Sequence, residues 1–272
     1  MSPETLLDSP VGLVLAEITA AEGSAPRERG AWMLVGAEAI AGTIGGGRLE
    51  WEVMARARAM LEAGPAREEL VLALGPAIGQ CCGGRVHVSL QRLEAPGRSA
   101  CRARLLGEAA ARPAAYVFGA GHTGMALARA LAPLPLSVML VDARPDLLAE
   151  APEGVEPQCA AIPEAVVRAA PAGSAFAIMT HDHALDFLLT HEALDRGDAA
   201  YVGLIGSATK RARFIRHRGQ SCAALTCPIG AAGLGDKRPA VIALHTAAEI
   251  MGALAARFEA QAAETEGLAW IR

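Results

Sequence analysis

Ala115-Tyr116-Val117-Phe118-Gly119-Ala120-Gly121-His122-Thr123-Gly124 is the stretch on which the fold turns. Its four apolar residues suit a buried strand, and the glycines behind them end it. A helical pattern follows over 123–131. Gly119 and Gly121 allow a tight turn and the close approach of a phosphate. Gly124 lets the helix lie on the sheet, and the helix N-terminus offers unpaired N–H groups to an anion. Asp142 stands 21 residues after Gly121, at the end of the next apolar stretch, where a carboxylate can accept hydrogen bonds from ribose hydroxyls. The spacing predicts Rossmann geometry. What such a scaffold binds is a separate matter, because one fold serves many ligands.

Downstream, strands are expected over 138–141, 175–179 and 201–205, and helices over 162–170, 184–195, 209–218 and about 238–261. Alternation of this kind predicts a doubly wound parallel sheet covered on both faces. Upstream the pattern changes. Short strands are expected over 13–19, 32–35, 42–44 and 70–74 and around Val86, Val88 and Leu90. One helix is expected over 48–63, stopped by Gly64-Pro65. The expected fold class is therefore α/β, with a small N-terminal α/β domain over 1–95 and a C-terminal Rossmann-like domain over 114–272. Pro96-Gly97 and four arginines between Glu94 and Pro113 read as a linker, 96–113, helical in part.

The 272 residues are 52% hydrophobic, 20% charged and 4% aromatic, enough apolar matter for a real core and too much for wholesale disorder. A net charge of −4 argues against general nucleic-acid binding, and the basic run at 210–218 reads as a solvated helix face. No stretch reaches the ~18 uninterrupted apolar residues of a membrane span, and Met1-Ser2-Pro3-Glu4 lacks a basic leader. No membrane association is expected. The six cysteines read as thiols of a cytoplasmic protein rather than a disulfide framework.

Four further segments carry candidate chemistry. Gly79-Gln80-Cys81-Cys82-Gly83-Gly84 places adjacent thiols among glycines that strip away side-chain cover. No second pair supplies zinc spacing, so the reading is a thiolate for a soft metal centre or for sulfur chemistry, or else two small residues in a turn. Gly45-Gly46-Gly47 ahead of a helix can form an anion nest, with Arg27, Arg29 and Arg48 in the same half, or a turn needing positive φ. Thr180-His181-Asp182-His183 follows a buried strand. Its histidines could ligate a metal or move protons, or Asp182 could cap a helix. Cys227-Pro228-Ile229-Gly230 and Gly233 to Pro239 form another glycine-rich approach to a helix. The remaining cysteines, Cys101, Cys159, Cys222 and Cys227, read as structural.

In this order, these segments resemble the xanthine dehydrogenase accessory proteins, the XdhC/CoxI family. The resemblance is carried by Gly23-Ser24-Ala25-Pro26-Arg27, Gly42 to Gly47, Gln80 to Gly84, Gly119 to Gly124, Met179 to Asp186, Tyr201 to Arg213 and Cys227 to Pro239. Ala25 departs from the threonine usual there, and His245-Thr246 from the usual small or apolar residues. The resemblance implies a chaperone that binds the molybdenum cofactor (molybdopterin) and supports exchange of its oxo ligand for a sulfido ligand. Such a chaperone then hands the cofactor to xanthine dehydrogenase or a related molybdenum hydroxylase, in purine catabolism. It further implies a cysteine desulfurase as sulfur source, a homodimer, and a cysteine contact to the cofactor that maps to Cys82, a possible molybdenum contact, with Cys81 beside it.

Gly45, Gly46, Gly47, Gly119, Gly121, His122, Gly124, Asp142, His181 and His183 complete the candidate cofactor-binding set. On this reading the chain is an accessory protein more than a catalyst, and no catalytic residue is assigned. The alternative is an NAD(P)-dependent oxidoreductase using Gly119, Gly121, Gly124 and Asp142, with His181 or His183 as acid–base. A third reading is a sulfur carrier using Cys81-Cys82 alone.

Overall fold

The computed structural model describes residues 1–75, 83–219, 222–231 and 235–269, with side chains as far as residue 260. The chain divides into two compact units, Met1–Ala110 and Ala111–Arg272.

In the first unit five strands pair antiparallel in the order β3-β2-β1-β5-β4: β1 (Val14–Glu22), β2 (Trp32–Val35), β3 (Ile40–Gly42), β4 (Arg67–Ala73) and β5 (Arg85–Arg92). Strand alternation sends Val14, Ala16 and Ile18 of β1, with Val86, Val88 and Leu90 of β5, to one face. There they bury against Leu49, Val53, Ala57 and Met60, spaced along one side of α2 (Gly47–Ala63). The helix stops where a Cβ on Gly64 would come within 2.4 Å of the Met60 Cα. The Arg92 guanidinium donates to the carbonyls of Met60 and Gly64 at that end.

The opposite face is closed by α1 (Pro3–Asp8) and α3 (Ala95–Ala110). Leu6, Leu7, Leu13 and Leu34 bury together there, with Cys101 and Leu105 of α3 packed on them. This corrects the expected linker. Most of 96–113 is helix within the first unit, and the boundary follows Ala110. Pro96 and Gly97 lie in the first turn of α3, where a missing N–H leaves nothing unpaired. Arg98 donates to the carbonyls of Leu7 (3.0 Å), Ser9 (2.9 Å) and Val11. Arg104 bridges to Glu17 (2.8 Å) and the Gly30 carbonyl (2.9 Å).

The second unit is a six-stranded parallel sheet in the order β11-β10-β9-β6-β7-β8. Its strands are β6 (Ala114–Phe118), β7 (Ser137–Asp142), β8 (Val155–Cys159), β9 (Ala175–Ile178), β10 (Tyr201–Leu204) and β11 (Leu225–Thr226). Its helices are α4 (His122–Leu131), α5 (Pro145–Leu148), α6 (Pro163–Ala169), α7 (His183–Asp195), α8 (Ala208–Arg218) and α9 (Pro239–Ala269). Every residue of β6 is buried. Ala115 and Val117 face Leu127 and Leu131 of α4 with Ala243, Ala247 and Ile250 of α9. Tyr116 and Phe118 face Phe176, Leu189 and Phe214, the Tyr116 and Phe176 rings stacking at 5.5 Å. Both faces are covered, and the strand order reverses between β6 and β9, which is the doubly wound Rossmann arrangement expected.

In this unit three elements, α5, β8 and β11, were not anticipated, and neither was α1 in the first. β8 and β11 are edge strands, and β8 is exposed along Glu156–Cys159, so neither carries the apolar run of a central strand. By length and composition Pro239–Ala260 of α9 could cross a membrane, at mean hydropathy 1.4, yet here Ala243, Ala247, Ile250 and Leu254 bury against the core that α4 shares.

Candidate functional site

At the mouth of the parallel sheet, Gly119 turns the chain out of β6 with φ +109. A Cβ there would lie 2.5 Å from the Met179 carbonyl oxygen. A Cβ on Gly124 would lie 1.8 Å from the Gly119 carbonyl oxygen, so the third glycine of the motif is what lets α4 sit on β6. Gly121 is different. Space is open around it, and as N-cap of α4 it leaves the helix without a side-chain cap. His122 is exposed at the first helical position.

Asp142 ends β7 as the spacing predicts, but it is already engaged. One carboxylate oxygen accepts from the Ala120 N–H (2.7 Å) and the Arg144 Nη2 (2.8 Å). The other accepts from the Arg144 N–H (3.0 Å) and Nε (2.9 Å). Burial opposes its charge, but the Arg144 guanidinium and the two backbone donors outweigh it and bring the carboxyl down to about 2. These four bonds fill the acceptor sites of a carboxylate. Arg144, two residues beyond the aspartate, is the partner that motif reading did not include.

The Thr180–His183 segment splits. Asp182 caps α7, accepting from the N–H of Ala184 (2.7 Å) and Leu185 (3.4 Å). His181 lines a cavity of about 230 Å³ beside Gly119 and Asp142, whereas His183 lines another of about 520 Å³ beside Lys210. The two histidines do not share a site, and among the described residues no group of three metal-ligating side chains forms. The chemistry-bearing residue that sequence reading passed over is Asp186. It is fully buried, accepts from the Thr180 N–H (2.9 Å) and hydroxyl (2.8 Å), and pairs with the Lys210 ammonium at 2.5 Å. Lys210, grouped by sequence with a solvated face, is turned inward, its side chain 12% exposed.

In the first unit the glycine loop at 42–47 does form an N–H nest, with positive φ at Gly45, Gly46 and Gly47. Its occupant comes from this chain. One oxygen of Glu50 accepts from the N–H groups of Ile44 (2.9 Å), Gly45 (3.2 Å) and Gly46 (2.9 Å) and from the Thr43 hydroxyl. Burial works to raise the carboxyl, and these donors together hold it below its ordinary value. A Glu four residues after the middle glycine is the sequence signal that reveals the occupied nest.

Three loops meet at this end of the unit. A Cβ on Gly45 would strike the Pro26 ring at 2.6 Å, and one on Gly84 would strike the Ser24 carbonyl oxygen at 2.3 Å. The Gly84 carbonyl also accepts from the Leu74 N–H (2.7 Å), joining the described flanks of the cysteine segment. Cys81 and Cys82 themselves lie outside the described residues. Beside Pro26 runs a groove of about 650 Å³ lined by Arg27, Glu28, Arg29, Trp32, Thr43 and Glu108. Neither Arg27 nor Arg29 makes a hydrogen bond or ion pair among the described residues, which leaves two cations open to an anion.

Of the other cysteines, Cys222 and Cys227 are buried, Cys101 is half-buried and Cys159 is exposed. Burial raises the Cys101 and Cys227 thiols above their ordinary value, against the nearby cations. Asp236, in the approach to α9, holds Arg238 through a two-pronged pair, and Gly230 (φ +62) backs onto the Ile242 carbonyl of α9.

Comparison with known proteins fits this architecture. A crystal structure from Bacillus halodurans described as a xanthine dehydrogenase superposes with a TM-score of 0.80 at 19% identity, over 93% of this chain and 95% of that one, a likeness of fold. No curated protein matches by sequence. Residues 115–250 match the family model described as the XdhC Rossmann domain, and residues 6–73 match that of the XdhC and CoxI family. The first match alone spans half of the chain, and with the second in its expected place the chain belongs to the XdhC and CoxI family.

Proposed function

We propose that this chain is an accessory protein in the maturation of xanthine dehydrogenase or a related molybdenum hydroxylase, with the molybdenum cofactor as its cargo. The observation that carries the reading is the meeting of Ser24–Arg27, the glycine loop at 42–47 and Gly84 beside a groove with two guanidiniums that are unpaired among the described residues. The cofactor's pterin bears a phosphate, and Arg27 and Arg29 offer it paired hydrogen bonds of charge-assisted strength. The glycine nest does not fit the phosphate while Glu50 fills it, so the arginine groove is the better seat. Cys82, with Cys81 beside it, is the thiolate assigned to the cofactor's molybdenum, which is already bound by soft dithiolene sulfur. Open glycine loops suit a carrier that must release what it holds.

On this proposal sulfur reaches the cofactor from a cysteine desulfurase, and the hydroxylase receives it in the cytoplasm from a homodimer of this chain. The test is reconstitution of a cofactor-free hydroxylase with released molybdenum cofactor, with and without this protein. Hydroxylase activity is expected to rise with it, and Cys82→Ala or the Arg27→Ala/Arg29→Ala pair to weaken cofactor binding. Equal activity with and without the protein overturns the reading.

The dehydrogenase alternative draws on the open space at Gly121. It is the weaker reading, because Asp142 would have to give up Arg144 to accept a ribose hydroxyl, and His181 and His183 line separate cavities. Calorimetric titration with NAD(H) and NADP(H) tests it.

A further inference from the structure

The helices α7 and α8 are joined along one side by a ladder of side-chain pairs. The buried Asp186 takes Lys210, the Phe187 ring stands edge-on to Phe214 at 5.2 Å, His191 meets His217, and Asp195 takes Arg218. Of these rungs only the histidine pair changes its charge near neutral pH.

The proton positions of that pair follow from its neighbours. Arg218 Nη1 stands 3.2 Å from His191 Nδ1, and His191 Nε2 stands 3.1 Å from His217 Nδ1. A guanidinium only donates, so His191 Nδ1 bears the lone pair and the ring proton is on Nε2. That proton is given to His217 Nδ1, which therefore bears a lone pair too. Donation runs one way, from Arg218 to His191 to His217, and both rings are neutral. A proton added at His191 Nδ1 would face the guanidinium, and one added at His217 Nδ1 would face the His191 N–H. Either sets two donors against each other. The dipole of α8 favours a cation in its last turn, but Arg216 and Arg218 already supply it, and α8 holds no carboxylate to offset a third.

The other groups around His191 are committed elsewhere or apolar. Asp195, on its own helix, is 67% exposed and pairs with Arg218 at 2.5 Å. From α6, Arg168 goes to Glu192 at 2.9 Å. The strands beneath present Phe176, Ile178, Val202 and Leu204, and the Phe214 ring of α8 lies 4.8 Å from the imidazole. Burial first, then Arg218 and His217, hold the His191 ring below its ordinary 6.5, against the pull of Asp195. We propose that Arg218, His191 and His217 form a proton-operated latch, which holds the last turn of α8 on α7 at neutral pH and releases it on taking one proton from solvent. A depressed group lends stability above its unfolded value and loses it as pH falls through the folded one, so the latch is shut above about 6.5 and opens below it. Asp186 and Lys210 pin the other end of α8, so release is local to 215–219. The latch lies within the second unit, and its failure leaves the cargo reading untouched.

The full chain is followed by nitrogen-15 NMR of its imidazoles and by amide hydrogen exchange at about pH 7.5 and about pH 5.5, either side of the histidine range. At the higher pH both rings are expected as the Nε2–H tautomer. At the lower pH the protection of amides 215–219, corrected for intrinsic rate, is expected to fall about ten-fold while that of α4 holds. His191→Asn keeps an oxygen to accept from Arg218 but cannot take up a proton, and is expected to protect the turn equally at both pH values. His245→Asn, which removes a histidine outside the latch, is expected to respond to pH as the unaltered chain does. The proposal is overturned by an Nδ1–H tautomer at His191, or by a pH response that survives in His191→Asn or disappears in His245→Asn. It is also overturned if α4 loses protection in step with 215–219, since the whole unit is then unfolding.

Discussion

The two glycine-rich turns, one per unit, look alike in sequence and differ in what remains available. Both lead from a strand into a helix, and both engage a carboxylate of the chain itself. At 42–47 a single Glu50 oxygen takes three successive N–H groups and a hydroxyl, and the nest is full. At 119–124 the Asp142 carboxylate takes only the Ala120 N–H from the loop, and α4 starts at an uncapped glycine with space around it. A run of glycines before a helix thus specifies the shape of an anion site, while the nearest carboxylate decides whether it is vacant.

Several substitutions can break or sharpen that contrast. Gly124→Ala is expected to cost the most, on the order of 3 kcal/mol, because its methyl would meet rigid backbone at 1.8 Å. Chemical denaturation measures it, and a near-neutral result would mean that α4 slides freely on β6. Next comes pH. The Asp142 carboxyl sits at about 2 in the folded chain against an ordinary 3.8. A depressed carboxyl contributes stability above its unfolded value and loses it as pH falls through the folded one. About 2 kcal/mol is therefore expected to vanish between pH 4 and 2, and Arg144→Ala to flatten that part of the profile.

Glu50→Ala vacates the nest of the first unit and leaves its donors to water, for a loss of about 1 kcal/mol. Phosphate is then expected to raise the melting temperature of Glu50→Ala more than that of the unaltered chain; an equal response would deny that the carboxylate was the occupant. Gly121→Ala, in open space at φ −76, is expected to change stability by less than about 1 kcal/mol.

Much of the second unit was legible because its central strands are buried on both faces and read as continuous apolar runs. Its edges were not: β8 carries Glu156, Pro157 and Gln158, and β11 has two residues. In the first unit α3 reads from sequence only as a partly helical linker, because it buries no residue completely and works through arginines, whose polarity imitates a solvated connection. The glycine positions of the candidate site were legible because close approach demands them. Glu50, Arg144 and Asp186 were not, since periodicity does not register which donor a carboxylate finds across a turn. The histidines misled for a related reason: neighbours at 181 and 183 diverge once Asp182 commits its carboxylate to the helix start.

The Arg98 clamp has a bearing on heredity as well as on packing. By gripping the carbonyls behind α1 from the first turn of α3, it ties the first and last helices of that unit to each other. A module whose sheet and closing helices all lie within one stretch of chain can be transplanted, duplicated or encoded as a separate polypeptide without tearing a sheet. A gene split between Ala110 and Ala111 should accordingly yield two halves that each fold.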